Sequence, residues 1–554
     1  MGLGVKLAAS ALACYGLLLL DVEQLNLSEL DIATAFMGPR DIFDTCTLVD
    51  IPTWTPELRG FLQPDFDPTK NCNHSFVPWT YLDAGGRVIA NKSATSFKGI
   101  TCFARHILHN GDKSVIKSGW IPLEEGHVFE NDIVEAECRR GKNVIYQYLH
   151  MQTWRNLTEM PFDESEAEAR NGTDSAATQP SVYIILYDSI SSSHGRRVFP
   201  RTISFLREAF DAVEFEHVNK VGDNSRPNGI ALMFGQRIGW LRRDVFGDDE
   251  QTLLEPEWTY VDSCKTFLDD KGFIMKEFEE KLIDTYPDKP KFGLTWASHL
   301  GHDKADPPFH ADSYIAEFFK KNREELRYTD VGRRDVKNPM LHLSVPRQYR
   351  DNAALMRNVA KNAKELLTMY DVHATLKDIV QSLGQADGVA EEAFTVPASF
   401  DNGKGSSVLR PLPATPRNCK TLPIPFEYCL CEIDKVAVSD PEIVGDLAEV
   451  VVSAVNKRLQ DEHVTHLCSY QSIAKIVSAY QFKGTTDLYG VIVVLIPGGG
   501  RFETFIRHLG LRDYSMIVAD ALRLNSYGNT ADCVDKNSIR PYCFCKQQNG
   551  TKTG

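Results

Sequence analysis

An aspartate and a serine carry the clearest chemical potential in this chain. The apolar run Tyr183-Ile184-Ile185-Leu186-Tyr187 ends in Asp188-Ser189, and Asn224-Ser225-Arg226-Pro227-Asn228 follows, trailed by Leu232-Met233-Phe234-Gly235. The run lacks polar alternation, as a strand buried on both faces does, and open α/β sheets gather ligands beyond the carboxyl ends of their strands. Asp188 therefore occupies a site-forming position. Pro227 sits in the first turn of a helix predicted through Gly229 to Phe234, so the Ser225 hydroxyl faces the same crevice. A hydroxyl is a poor nucleophile at its free pKa, and a metal held by Asp188 is one standard way to activate it. The plainer alternative makes Asp188 a turn residue and Ser225 a helix cap.

Such a pair can meet only on a layered scaffold, and the texture from Ser181 onward predicts one. Candidate strands at Val182 to Tyr187, Ala212 to His217, Phe273 to Phe278, Phe292 to Ala297 and Met340 to Val345 alternate with helical patterns. The helices are Arg201 to Phe210, Tyr260 to Lys271, Asp312 to Leu326, Arg350 to Leu367 and Val372 to Leu383. This alternation predicts an α/β fold, a mainly parallel sheet sandwiched by helices, over residues 181–400. Residues 21–155 read as a β-rich domain stapled by its four cysteines, and residues 160–180 as an acidic linker with little to bury. A Gly-, Ser- and Pro-rich stretch, Asn402 to Arg417, precedes a cysteine-rich α+β domain at 415–546. That domain carries a helix at Pro441 to Gln460 and a strand at Leu488 to Ile496. Gly498-Gly499-Gly500 lacks the Lys-Ser/Thr of a phosphate loop and reads as a tight turn.

Composition bounds the partners. The 554 residues are 43% hydrophobic and 25% charged, as in a globular protein. A formal charge of -14 without a basic stripe excludes nucleic acid. Lys6 followed by uncharged residues from Leu7 to Leu20 makes residues 1–20 a signal peptide, or a short signal anchor that would be the only membrane contact.

Cysteine usage agrees with export. With Cys14 in the targeting segment, twelve of the 13 cysteines remain: Cys46, Cys72, Cys102, Cys138, Cys264, Cys419, Cys429, Cys431, Cys468, Cys533, Cys543 and Cys545. The C-x-C spacings at Cys429 and Cys543, with no matching His pair, favour disulfides over zinc. Sequons at Asn26, Asn73, Asn91, Asn156, Asn171 and Asn549 suit a glycosylated protein, secreted or in the lumen of the secretory pathway.

Several motifs in order resemble an animal extracellular family, domain of unknown function 229. They are Asp188-Ser189, Asn224 to Asn228 with Gly235, Ser298-His299-Leu300-Gly301-His302-Asp303, and Tyr370-Asp371-Val372-His373-Ala374-Thr375-Leu376. In the tail, Pro425 to Cys431 and Cys533-Val534 with Tyr542 to Cys545 fit as well. The family looks like a branch of the alkaline phosphatase and sulfatase superfamily. The resemblance implies Ser225 as nucleophile, Asp188, Ser225 and His302 as ligands of a divalent metal (zinc or calcium), and Asn228 in substrate binding. It further implies a phosphorylated or sulfated small molecule or glycan as substrate. Ser in place of a formylglycine-forming Cys disfavours ordinary sulfatase chemistry.

The chain departs from that pattern in two places. Ser298 stands where the superfamily has a ligand Asp, and the Ser-Asp-His-Gly strand end expected after the helix at Asp312 to Leu326 occurs nowhere. A segment near Leu326 and Arg327 thus reads as absent, leaving too few ligands for two ions and unpaired strand edges. Two functions follow: a metal-dependent phosphate- or sulfate-ester hydrolase or transferase, or a catalytically inactive glycoprotein scaffold or incomplete splice form. His299, His373, Asp303 and Asp306 are weaker candidates, and Glu279-Glu280 reads as a solvated face.

Overall fold

The structure is a computed structural model. It describes residues 42–48, 52–54, 56–59, 62–67, 70–71, 77–110, 114–152, 154, 182–246, 253–259, 261–262, 266, 268, 271–275, 292–297, 306–321, 330–332, 337–383, 391–400, 404–485, 487–518, 520–525, 528–536 and 538–546. Residues 1–20, the 160–180 linker, Cys72, Cys264, His299, His302, Asp303, Glu279, Glu280 and every sequon asparagine except Asn91 lie outside them. The chain divides into two compact units, residues 67–176 and residues 1–66 with 177–554.

In the smaller unit, the strands Val115–Lys117, Thr101–His109, Ile133–Arg140 and Asn143–Met151 form an antiparallel sheet in that order, with Ile121–Pro122 also paired to Thr101–His109. Alternating residues Val134, Ala136 and Cys138 are buried, as expected of a sheet with one dry face. Gly141, with φ of 62°, opens the two-residue loop between Arg140 and Asn143, a place where glycine adopts left-handed backbone without a Cβ penalty. Cys102 and Cys138 are directly opposite each other and disulfide-bonded. Asn91 follows the small hairpin strand Val88–Ala90; its Nδ2 donates to the Pro78 carbonyl and its Oδ1 accepts from Ser93.

The four-cysteine staple expected for this region is not what forms. Cys46 belongs to the larger unit and pairs with Cys431, at a sequence separation of 385. Its neighbours Phe43, Cys419, Phe426, Phe482 and Phe505 share one core cluster, so burial with the tail domain outweighs closeness in sequence.

The larger unit is built on a five-stranded sheet in the order Phe292–Ala297, Val182–Tyr187, Asp330–Gly332, Leu341–Leu343, Val213–Phe215. The first three run parallel to one another, and Leu341–Leu343 is antiparallel to both its neighbours. The slot beside the central strand Val182–Tyr187, predicted to lie open, is filled by the three-residue strand Asp330–Gly332. Both faces of the sheet bear helices. Ile185 and Tyr187 pack with Val198, Ile203, Leu206 and Phe210, whereas Val182 packs with Leu232, Leu355, Val359 and Leu376 on the other side. A continuous apolar run serves two cores because side chains alternate between faces.

Several boundaries moved. The expected strand at Ala212 to His217 shortens to Val213–Phe215, and a separate strand beyond it, Val218–Asn219, runs parallel to Leu367–Thr368. The helix expected from Asp312 begins at Pro307, since prolines are tolerated in a first turn. Ile274 and Met275 are helical rather than extended.

The tail does not stand apart as a separate unit. Its antiparallel strands Ser472–Phe482, Leu488–Ile496 and Gly500–Gly510 carry the helix Pro441–Asp461, capped by Asp440, over one face through Leu447, Val451 and Val455. Phe426, Phe482 and Phe505 join Val245, Phe246 and Leu366 in a shared core. Cys419–Cys429, Cys468–Cys543 and Cys533–Cys545 complete the disulfides seen among the described residues. No helix among these residues is long and apolar enough to cross a membrane.

Candidate functional site

Asp188 is the first residue beyond the central strand, and the chain turns there through Ser189, whose φ is 59°. Ser191 then caps the next helix by accepting from the His194 amide. Across the crevice, Asn224 has φ of 70° and caps the helix Ser225–Phe234 by accepting from Arg226 N. Left-handed backbone at two non-glycine residues, each beside a site residue, marks segments whose conformation is imposed by their surroundings. Close packing tightens this loop further: a Cβ on Gly222 would lie 2.5 Å from the Pro227 ring.

These turns bring the two candidates together. Ser225 Oγ donates to Asp188 at 3.1 Å from each carboxylate oxygen. Asp188 is only 8% exposed. Trp296 Nε1 donates to Asp188 Oδ2 at 3.1 Å, and Ser189 Oγ approaches Oδ1 at 3.4 Å.

Asn228 is buried one turn into the helix. Its Oδ1 accepts from Val221 N at 3.0 Å, and its Nδ2 donates to the Gly222 and Asn224 carbonyls at 2.8 and 2.7 Å. Its amide therefore ties down the loop that presents Ser225. His373 is buried between helices with Nδ1 donating to the Leu232 carbonyl at 2.8 Å, a packing role. Asp306 accepts from the Gln63 amide at 2.7 Å.

Trp296 has no counterpart in the sequence reading. It lies opposite Leu186 on the neighbouring parallel strand, and only that register carries its indole to the carboxylate. Behind the polar pair lies a cavity of about 130 Å³, lined by Ile184, Leu186, Leu232, Trp296, Leu376 and Ile379, with Asp188 and Ser225 among its few polar residues. Ile184 and Leu186 remain only partly buried on the central strand because they face it.

Two of the three expected metal ligands, Asp188 and Ser225, face each other here, and the third, His302, lies outside the described residues. Asp188 and Ser225 supply oxygen, and the Trp296 N–H takes up one of the acceptor positions of Oδ2. Among the described residues, the groups of three or more His, Cys, Asp or Glu close enough to share an ion are cysteines already in disulfides.

No curated protein matches the chain. A family model described as "Protein of unknown function (DUF229)" matches residues 67–281 and 277–477, which include both candidate site residues. Spanning most of the chain, that match places this protein in the DUF229 family.

Proposed function

We propose that the protein is a secreted or luminal, sulfatase-like hydrolase or transferase of phosphate or sulfate esters, with Ser225 as nucleophile. The observation that carries this reading is the Ser225 hydroxyl donating to both oxygens of Asp188 at 3.1 Å. As Ser225 Oγ attacks phosphorus or sulfur, its proton passes to Asp188. The ester oxygen leaves with the bonding pair and recovers a proton from the Asp188 carboxyl. This step uses these two side chains alone. Water or a second alcohol then displaces the serine oxygen, which separates hydrolysis from transfer.

Electrostatics narrows the substrate. A dianionic monoester beside the Asp188 carboxylate meets like-charge repulsion, whereas a diester or sulfate ester brings a single negative charge. The cavity of about 130 Å³ suits one aryl or short alkyl arm, similar to the roughly 150 Å³ apolar cavity that accepts benzene in another protein. The test is release of 4-nitrophenol by purified secreted protein from bis(4-nitrophenyl) phosphate, 4-nitrophenyl sulfate and 4-nitrophenyl phosphate. Turnover of the monoanionic esters that Ser225→Ala abolishes supports the proposal; equal release by both proteins rejects it.

A second reading, a non-catalytic extracellular scaffold, draws on the Trp296 indole seated on the carboxylate. Metal content decides its strongest form. Stoichiometric zinc or calcium lost in Asp188→Ala would contradict the scaffold reading and the metal-free step alike.

A further inference from the structure

We propose that His106 and His127, in the smaller unit, bind a divalent transition-metal cation of the zinc or copper class. The inference is independent of the Asp188 site. His106 lies on the strand Thr101–His109, and His127 lies in the segment leading to Phe129. Their Nε2 atoms are 3.2 Å apart. Two imidazole nitrogens each about 2.0–2.1 Å from one zinc ion at the tetrahedral angle stand roughly 3.3 Å apart.

The tautomer of His106 follows from its other nitrogen. Asn131 Nδ2 donates to the carbonyls of Ile107 and Ile133, which turns Asn131 Oδ1 toward His106 Nδ1 at 2.6 Å. A carbonyl oxygen only accepts, so Nδ1 carries the proton and neutral His106 presents the Nε2 lone pair to His127. This arrangement, with the far ring nitrogen donating to a fixed carbonyl, is the support that metal-ligating histidines almost always have. Phe129, itself buried, packs against both rings, with centroids 4.9 Å from His106 and 4.8 Å from His127. The rings are thereby held convergent, and His127 is exposed, so water or a ligand donor completes the coordination. Imidazole pairs favour zinc, copper and nickel over calcium or magnesium.

The competing account is an ordinary N–H···N bond between the rings, which predicts no affinity for metal. The experiment uses the full chain after chelator treatment and dialysis, titrated calorimetrically with zinc chloride and with copper sulfate. Native protein is expected to take up one more equivalent than His106→Ala or His127→Gln. Asn131→Ala is expected to weaken that site by about 10–100-fold. Should His106→Ala fail to fold, His127→Gln still decides, because an exposed ring contributes little to the core. Equal stoichiometry and affinity in native and His127→Gln proteins would overturn the proposal.

Discussion

Trp296 and Ser225 donate to the same oxygen: the indole Nε1 and the serine Oγ each stand 3.1 Å from Asp188 Oδ2. Two donors from different elements fix the plane of the carboxylate, and with it the direction of the serine hydroxyl. Ser225→Ala and Asp188→Asn are each expected to lower kcat for a monoanionic aryl ester by about 10²–10⁴-fold, the scale of a positioned proton acceptor. Stopped assays of 4-nitrophenol release check this; a fall of less than tenfold in both would remove the pair from the chemistry.

Asp371 is fully buried and receives Arg417 at 2.8 Å, the Thr368 amide at 2.7 Å, the Thr368 hydroxyl at 3.0 Å and the Ser406 amide at 2.9 Å. Removing the carboxylate strands the guanidinium in a dry setting. Asp371→Ala is therefore expected to cost about 3–5 kcal/mol in urea unfolding. A loss under 1 kcal/mol would mean that water reaches Arg417.

His342 is buried opposite Glu214 on the adjoining strand, and its Nε2 finds no hydrogen-bond partner among the described residues. Burial pushes its imidazole down to about 4 from an ordinary 6.5. Between these values the unfolded chain takes up a proton that the folded chain refuses. The neutral ring's contribution is full above about pH 6.5 and declines as pH falls toward 4, by roughly 3 kcal/mol over the window. Urea midpoints measured from pH 4 to 7 should be flatter in His342→Leu; parallel curves for the two proteins would refute the assignment.

The Cys102–Cys138 disulfide joins directly opposed residues in the smaller unit and closes a loop with a sequence separation of 36. Replacing both cysteines by alanine is expected to destabilise that unit by about 2–4 kcal/mol. Limited proteolysis followed by mass spectrometry should then show earlier cleavage within residues 67–176. An unchanged digestion pattern would count against the expectation.

Much of this architecture is legible wherever an apolar run is continuous and sharply ended. Val182–Tyr187, Phe292–Ala297 and Leu488–Ile496 are strands over the ranges their sequences predict, because turn or polar residues bound each one. The meeting of Asp188 with Ser225 was legible for a related reason: a strand end and a helix start both face the sheet's carboxyl rim. What the local sequence does not encode depends on register or distance. Trp296 reaches Asp188 only through parallel pairing with the central strand. His106 meets His127 across a segment whose path no local pattern encodes. Cysteine spacing says nothing of partner choice: it groups Cys46 with its sequence neighbours, whereas the fold pairs it with Cys431.

That last bridge orders events during synthesis. Cys46 leaves the ribosome long before Cys431 exists, so its thiol must wait, reduced or temporarily mispaired, while the intervening residues emerge. Cys102 and Cys138 can join early within their own hairpins, whereas the largest covalent ring closes only after the α/β sheet and the start of the tail have been made. The local crosslink and the long-range one are therefore made at different stages, the first within a short segment and the second in a nearly finished molecule.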